Sequence, residues 1–152
     1  MSNLSNNYIA GDWVKGASSI SNINPSNTND VIGEFAQANN SQLEDALNSA
    51  QVAQRQWAAT GLEQRQAVLM KIGEEMMARS AELGELLSRE EGKPVAEGKG
   101  EVYRAGQFFT YYAAEVLRQG GDTADSVRPN IEIDVRREPM GTVAIISPWN
   151  FP

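Results

Sequence analysis

Apolar positions in residues 8–35 fall in short runs separated by turn residues. From residue 41 onward their spacing lengthens to about 3.6, so the chain reads as a small sheet followed by a helical layer. Tyr8-Ile9-Ala10-Gly11-Asp12-Trp13-Val14 sets two apolar runs around a Gly-Asp turn, and residues 20–23 and 31–35 flank the turn-rich Asn24-Pro25-Ser26-Asn27. This pattern predicts a small antiparallel meander acting as a surface flap. Residues 1 to about 7 read as a disordered polar lead.

Ser41-Gln42-Leu43-Glu44 has the spacing of a capping box, with Leu43, Ala46, Leu47, Ala50, Ala53 and Trp57 on one face of the helix that follows. Thr60-Gly61-Leu62-Glu63 repeats the capping signal ahead of a stripe formed by Val68, Leu69, Ile72 and Met76. A third helix is expected from Ser80, with Leu83, Leu86 and Leu87 inward and Gly92 as its stop. The fourth starts near Pro94 or Val95 and presents Val102, Ala105, Phe109, Tyr112, Ala113, Val116 and Leu117 on one side, ending at Gly120-Gly121. Phe108, Phe109, Tyr111 and Tyr112 could suggest a ring-stacking site, but aromatics at helical spacing are read here as packing.

Ile131-Glu132-Ile133-Asp134-Val135-Arg136 alternates strictly, which predicts a half-exposed strand in an excursion from the helical layer. Such an arm has an apolar face and an edge to cover, so residues 122–138 are expected to form an oligomerisation hairpin. The β-branched run from Thr142 to Ile146 fits a strand covered on both faces in a parallel sheet. Ligands of such sheets bind at the carboxyl ends of the strands, which directs attention to Ser147 through Asn150. The chain thus divides into residues 1–121 (flap and helices), 122–138 (hairpin) and 139–152 (return strand and start of a dinucleotide-binding sheet).

The 152 residues are 41% hydrophobic and 22% charged, the composition of a soluble globular domain. Thirteen Lys+Arg against twenty Asp+Glu leave a net charge of -7, which repels nucleic-acid backbones and anionic lipid. No stretch reaches the roughly 18 to 20 apolar residues of a membrane span, and the first residues lack a signal-peptide pattern. A cytoplasmic location without membrane or nucleic-acid partners is expected. The sequence holds neither cysteine nor histidine. Thiolate chemistry, Ser-His-Asp catalysis and His-based metal sites therefore have no residues here, and no metal is expected.

Asn150 has the sharpest chemical potential. An amide at a strand end, flanked by Pro148, Trp149 and Pro152, can donate an N–H to a carbonyl oxygen as negative charge develops there. Asn and Pro are also ordinary turn residues, and the residues alone leave both readings open.

Pro148-Trp149-Asn150-Phe151-Pro152, approached through Arg137-Glu138-Pro139-Met140-Gly141-Thr142-Val143, resembles the signature of the NAD(P)-dependent aldehyde dehydrogenase superfamily. The resemblance extends to Tyr8 through Val14, Asn24-Pro25-Ser26, the Trp57 region and Glu90-Glu91-Gly92-Lys93-Pro94. It implies an α/β chain equivalent to the N-terminal part of that fold, with the first strand of an incomplete Rossmann-like sheet. It also implies NAD or NADP as cofactor, a small aldehyde as substrate and a homo-oligomeric parent, dimer or tetramer. Asn150 matches the asparagine that stabilises the oxyanion of a cysteine thiohemiacetal, and Ile146, Ser147, Pro148 and Trp149 match the segment lining the cofactor groove, mostly through backbone atoms.

The family's cysteine, general-base glutamate, ribose-contacting lysine and main dinucleotide-binding helix lie downstream of this motif. The chain is accordingly expected to be an N-terminal fragment, inactive alone. Glu90, Glu91, Glu97 and Glu101 do not replace the missing base, since they read as solvated charges on upstream helices. Leu87 through Lys93 and Ser126-Val127-Arg128-Pro129 point toward the branch that oxidises 2,5-dioxovalerate (α-ketoglutarate semialdehyde), ahead of succinate semialdehyde and simple aliphatic or aromatic aldehydes. A non-enzymatic interaction module and a catalytically silent relative are the competing readings.

Overall fold

The structure is a computed structural model that describes residues 4–118 and 120–152. The expected disordered lead is partly overturned: Leu4–Ser5 forms strand β1, and Asn7 already belongs to β2 (Asn7–Ile9). Residues 1–3 lie outside the described residues. β2 pairs antiparallel with β3 (Asp12–Val14) across Ala10-Gly11, both at positive φ, so the hairpin forms but its turn lies one residue before the expected Gly-Asp pair, with Asp12 already in the strand.

β4 (Ser18–Ile23) and β5 (Val31–Gln37) form the second antiparallel pair, and β1 adds to the other edge of β5 in parallel, giving the order β1-β5-β4. The flap is therefore a hairpin beside a mixed three-stranded sheet rather than a pure antiparallel meander. The cause is the lead segment, whose backbone finds a free edge of β5 to bond to.

α1 (Asn40–Ala58) is capped two residues earlier than Ser41 suggests. Asn39 is the cap, accepting the Gln42 N–H at 2.9 Å, while the Gln42 side chain accepts the Asn39 N–H at 3.2 Å. The reciprocal box is real but is built from Asn and Gln, two positions upstream of the Ser/Glu pair. α2 (Leu62–Ala78) is capped by Gly61 without a side-chain bond, and the Thr60 hydroxyl instead donates back to the Trp57 carbonyl at 2.6 Å. α3 (Ser80–Glu91) stops at Gly92, whose φ of +80° is the left-handed conformation that only glycine adopts without strain. α4 (Val95–Val116) starts immediately after Pro94.

α2, α3 and α4 pack through glycines, a signal absent from the apolar-stripe reading. Gly73 and Gly106 lie against each other where α2 crosses α4, and Gly84 and Gly98 where α3 crosses it. All four are buried. A Cβ on Gly84 would sit 2.5 Å from the Lys99 backbone, and one on Gly73 2.6 Å from the Gly106 carbonyl oxygen. The helices approach closely because those positions carry no side chain, and Val102, Ala113 and Val116 fill the space around them.

Two sequence expectations fail here. Phe108, Tyr111 and Tyr112 are 54%, 60% and 59% exposed, so among the described residues those rings cover no core; Phe109 alone of the four is half-buried. No strand forms over residues 143–146 either, and the chain from Arg136 to Pro152 carries no regular element. A strand exists only as part of a hydrogen-bonded ladder, and none of the described strands runs beside this segment. β6 (Asp122–Asp125) and β7 (Glu132–Val135) do form the expected hairpin, with Ala124 opposite Ile133 and every residue of both strands exposed.

Candidate active site

The junction between α3 and α4 gathers the charged groups. Gly92 donates its N–H to the Ser88 carbonyl at 2.8 Å and turns the chain, and Lys93 then points back between Glu91 on the last turn of α3 and Glu101 on α4. The Lys93 ammonium ion-pairs with both carboxylates and donates a hydrogen bond to Glu101 Oε2. The three side chains are only 14%, 8% and 15% exposed. Glu91 Oε1 and Glu101 Oε1 are closed off from solvent without a hydrogen-bond donor, while Glu91 Oε2 faces the Lys93 ammonium. Reading Glu91 and Glu101 as solvated charges is thus corrected: the helix junction buries them, and Lys93 is their compensation. Glu97 is exposed, as is Glu90, whose Oε1 accepts from Asn22 Nδ2 at 2.8 Å.

The same ammonium reaches the last residues. It donates to the Asn150 carbonyl oxygen at 3.1 Å and lies 5.0 Å from the centre of the Phe151 ring. Phe151 and Pro152 close one side of a groove of ≈ 640 Å³ whose other wall is α4, at Glu97, Glu101, Arg104 and Phe108. Asn150 is therefore held through its backbone while its side chain remains exposed.

Ile146 and Trp149 are 92% and 89% exposed, and Ser147 and Pro148 are exposed as well. The five residues singled out from sequence lie on one continuous surface segment, but only Asn150 meets the helices. Lys93, Glu91 and Glu101 were missed as members of this arrangement. The signal was the Glu-Gly-Lys-Pro run at a helix end, which is weak taken alone.

The flap braces the junction from behind. Arg89 donates from Nε and Nη2 to the two Asp30 oxygens at 2.9 and 2.7 Å, and the Ser26 hydroxyl donates to the Gly92 carbonyl at 3.0 Å. The Arg89 guanidinium, helped by the Asn24 amide, holds the Asp30 carboxyl at about 2, below its ordinary 3.8. Asp30 correspondingly raises the Arg89 pKa.

Chemically, the arrangement offers an exposed amide donor on an anchored loop and, beside it, a groove lined by charged side chains together with Phe108 and Phe151. With no cysteine in the sequence it offers no thiolate. Among the described residues no helix is long and apolar enough to cross a membrane.

A mixed α/β chain that ends its helical layer at such a loop is one class of protein by sequence as well as by shape. The profile of the aldehyde dehydrogenase family matches residues 13–152, and the chain belongs to that family. It is 33% identical to the α-ketoglutarate semialdehyde dehydrogenase of Haloferax volcanii, over 100% of this chain and 32% of that protein. It is 35% identical to the glutarate-semialdehyde dehydrogenase of Pseudomonas putida, over 95% of this chain and 30% of that one. Among solved structures, an NAD-dependent benzaldehyde dehydrogenase from Corynebacterium glutamicum superposes with a TM-score of 0.87 at 34% identity, covering 97% of this chain and 32% of that chain. The chain thus spans about a third of the length of the relatives it matches, and corresponds to their N-terminal part.

Proposed function

We propose that residues 1–152 are the N-terminal part of an NAD(P)-dependent aldehyde dehydrogenase that converts a dicarboxylate semialdehyde, foremost 2,5-dioxovalerate, to the carboxylate. The observation that carries this reading is the Pro148–Pro152 loop itself. It lies within the family match, its backbone is pinned by Lys93, and its one amide side chain is free to donate.

In the proposed reaction a cysteine from the remaining length of the enzyme attacks the aldehyde carbon. The Asn150 amide donates its N–H to the oxygen as that oxygen becomes an anion. The nicotinamide, when bound, serves as hydride acceptor, and water then hydrolyses the cysteine thioester to the carboxylate and the free thiol. Residues 146–149 fit the edge of such a cofactor's groove, since they present the Ile146 side chain, the Ser147 hydroxyl and unpaired backbone on an open surface. Alone, residues 1–152 hold neither the nucleophile nor a positioned base and are proposed to be inactive.

The choice of a semialdehyde is supported by relatives whose names specify five-carbon semialdehydes. The β6–β7 hairpin, with Ile131, Ile133 and Val135 about half exposed, is proposed to pair with a second subunit in a cytoplasmic dimer or tetramer; a monomer in sedimentation of the full-length enzyme would remove this. The deciding assay is turnover of the full-length enzyme on 2,5-dioxovalerate, glutarate semialdehyde, succinate semialdehyde and simple aldehydes with each coenzyme. In that enzyme Asn150→Ala is expected to lower kcat by about 10²- to 10³-fold while coenzyme affinity stays within about twofold. Equal loss of both would make the residue structural, and no aldehyde oxidation with either coenzyme would overturn the function.

A further inference from the structure

We propose that Lys93 is a positioning residue for the oxyanion-stabilising loop: its half-buried ammonium, locked between Glu91 and Glu101, holds the Asn150 carbonyl and thereby aims the Asn150 amide. The inference rests on the reading of Asn150 given above and assigns a task to a residue outside the loop, on the α3–α4 junction.

Three observations converge on it. The Lys93 side chain is 14% exposed, so its head group has few choices of direction. Its partners at one end are fixed to helices: Glu91 terminates α3 and Glu101 sits on α4, whose crossing is set by the contact of Gly84 with Gly98. At the other end the ammonium donates to Asn150 O at 3.1 Å and lies 5.0 Å from the Phe151 ring. A rigid junction is thus connected to the one peptide from which the candidate donor projects.

The two carboxylates are what make the lysine a clamp rather than a passing contact. Glu91 Oε1 and Glu101 Oε1 have no hydrogen-bond donor, and Glu91 Oε2 and Glu101 Oε2 face the Lys93 ammonium, so turning Lys93 away leaves two acidic groups facing each other with little solvent. The ammonium is therefore held in place by its neighbours before it reaches Asn150. Fixing the carbonyl of a residue restricts the rotation of its own peptide, and with it the direction of its Cα–Cβ bond.

The test is a double-mutant cycle in the full-length dehydrogenase. Lys93→Met is expected to lower kcat by about 10- to 100-fold with the coenzyme KM unchanged, and Lys93→Arg, which keeps a cationic donor, to recover activity to within about threefold. In the Asn150→Ala background, Lys93→Met is expected to change kcat by less than about threefold, because the group it aims is gone. Equal fold losses in both backgrounds, or no loss with Asn150 present, would overturn the proposal.

Hydrogen exchange at the Trp149, Asn150 and Phe151 amides separates the clamp from the reading it rests on. Faster exchange in Lys93→Met together with an unchanged kcat in Asn150→Ala would reject the donor role and leave the clamp standing; unchanged exchange would reject the clamp. Should Lys93→Met fail to accumulate, Lys93→Met with Glu101→Gln removes one charge of each sign and carries the same expectations.

Discussion

The helical trio and the last fourteen residues have opposite fates. In the trio the interior is made largely from small residues: Gly73 against Gly106, Gly84 against Gly98, and Ala113 fully enclosed. Residues 139–152 carry Val143, Ile145, Ile146, Trp149 and Phe151, yet these are 63%, 86%, 92%, 89% and 69% exposed. Burial follows from a facing surface, which the trio has and the segment lacks, and not from hydrophobicity alone. The accessible surface of 11741 Å² expresses the same thing for the whole chain. A compact monomer of this length exposes about 7,600 Å².

The sharpest way to break this contrast is to crowd a helix crossing. Gly98→Val places a branched side chain against the Gly84 carbonyl and the Ser88 hydroxyl and is expected to cost about 3 kcal/mol or more. Urea unfolding of α2–α4, followed by far-ultraviolet circular dichroism, measures it; a loss below about 1 kcal/mol would mean the crossings are loose.

A smaller effect comes from the brace between flap and trio. Asp30 titrates lower in the folded chain than in the unfolded one, so its pairing with Arg89 stabilises above about pH 4, and that contribution is lost as pH falls toward 2. Asp30→Asn is therefore expected to flatten the decline of stability between about pH 4 and 2 and to lower stability near neutrality. Unfolding curves at several pH values compare the two proteins. Identical slopes would show that the brace does not contribute.

The smallest expected effect in residues 1–152 is at the other pole. Ile145→Ser should change stability by no more than about 0.5 kcal/mol, because the side chain contacts solvent already. In the full-length enzyme, where the segment is proposed to become a covered strand, the same change should cost about 2 to 5 kcal/mol. Equal small effects in both proteins would remove that strand from the proposal.

Legibility followed the range of the forces involved. The left-handed stop at Gly92, the start of α4 after Pro94, the Gly-Asp hairpin and the β6–β7 arm are local, and each was readable from a few adjacent residues. Caps were misplaced by two positions, since Asn39/Gln42 and Ser41/Glu44 both satisfy the spacing and only the backbone decides between them. The aromatic face of α4 reads as packing in the sequence because helical spacing reports which residues share a face, not whether another surface arrives to cover it.

From its residues alone the chain determined its helices, its turns, its acidic surface and the family of its last motif, because propensity, charge and a short signature act within a few positions. Tertiary structure alone decided that glycines form the crossings, that β1 joins β5 in parallel, and that Lys93 is enclosed by two glutamates and joined to Asn150. Apart from Glu91, which is two residues from Lys93, those outcomes depend on groups eight to fifty-seven residues apart meeting in space. Such meetings are set by how whole elements pack, which no local pattern encodes.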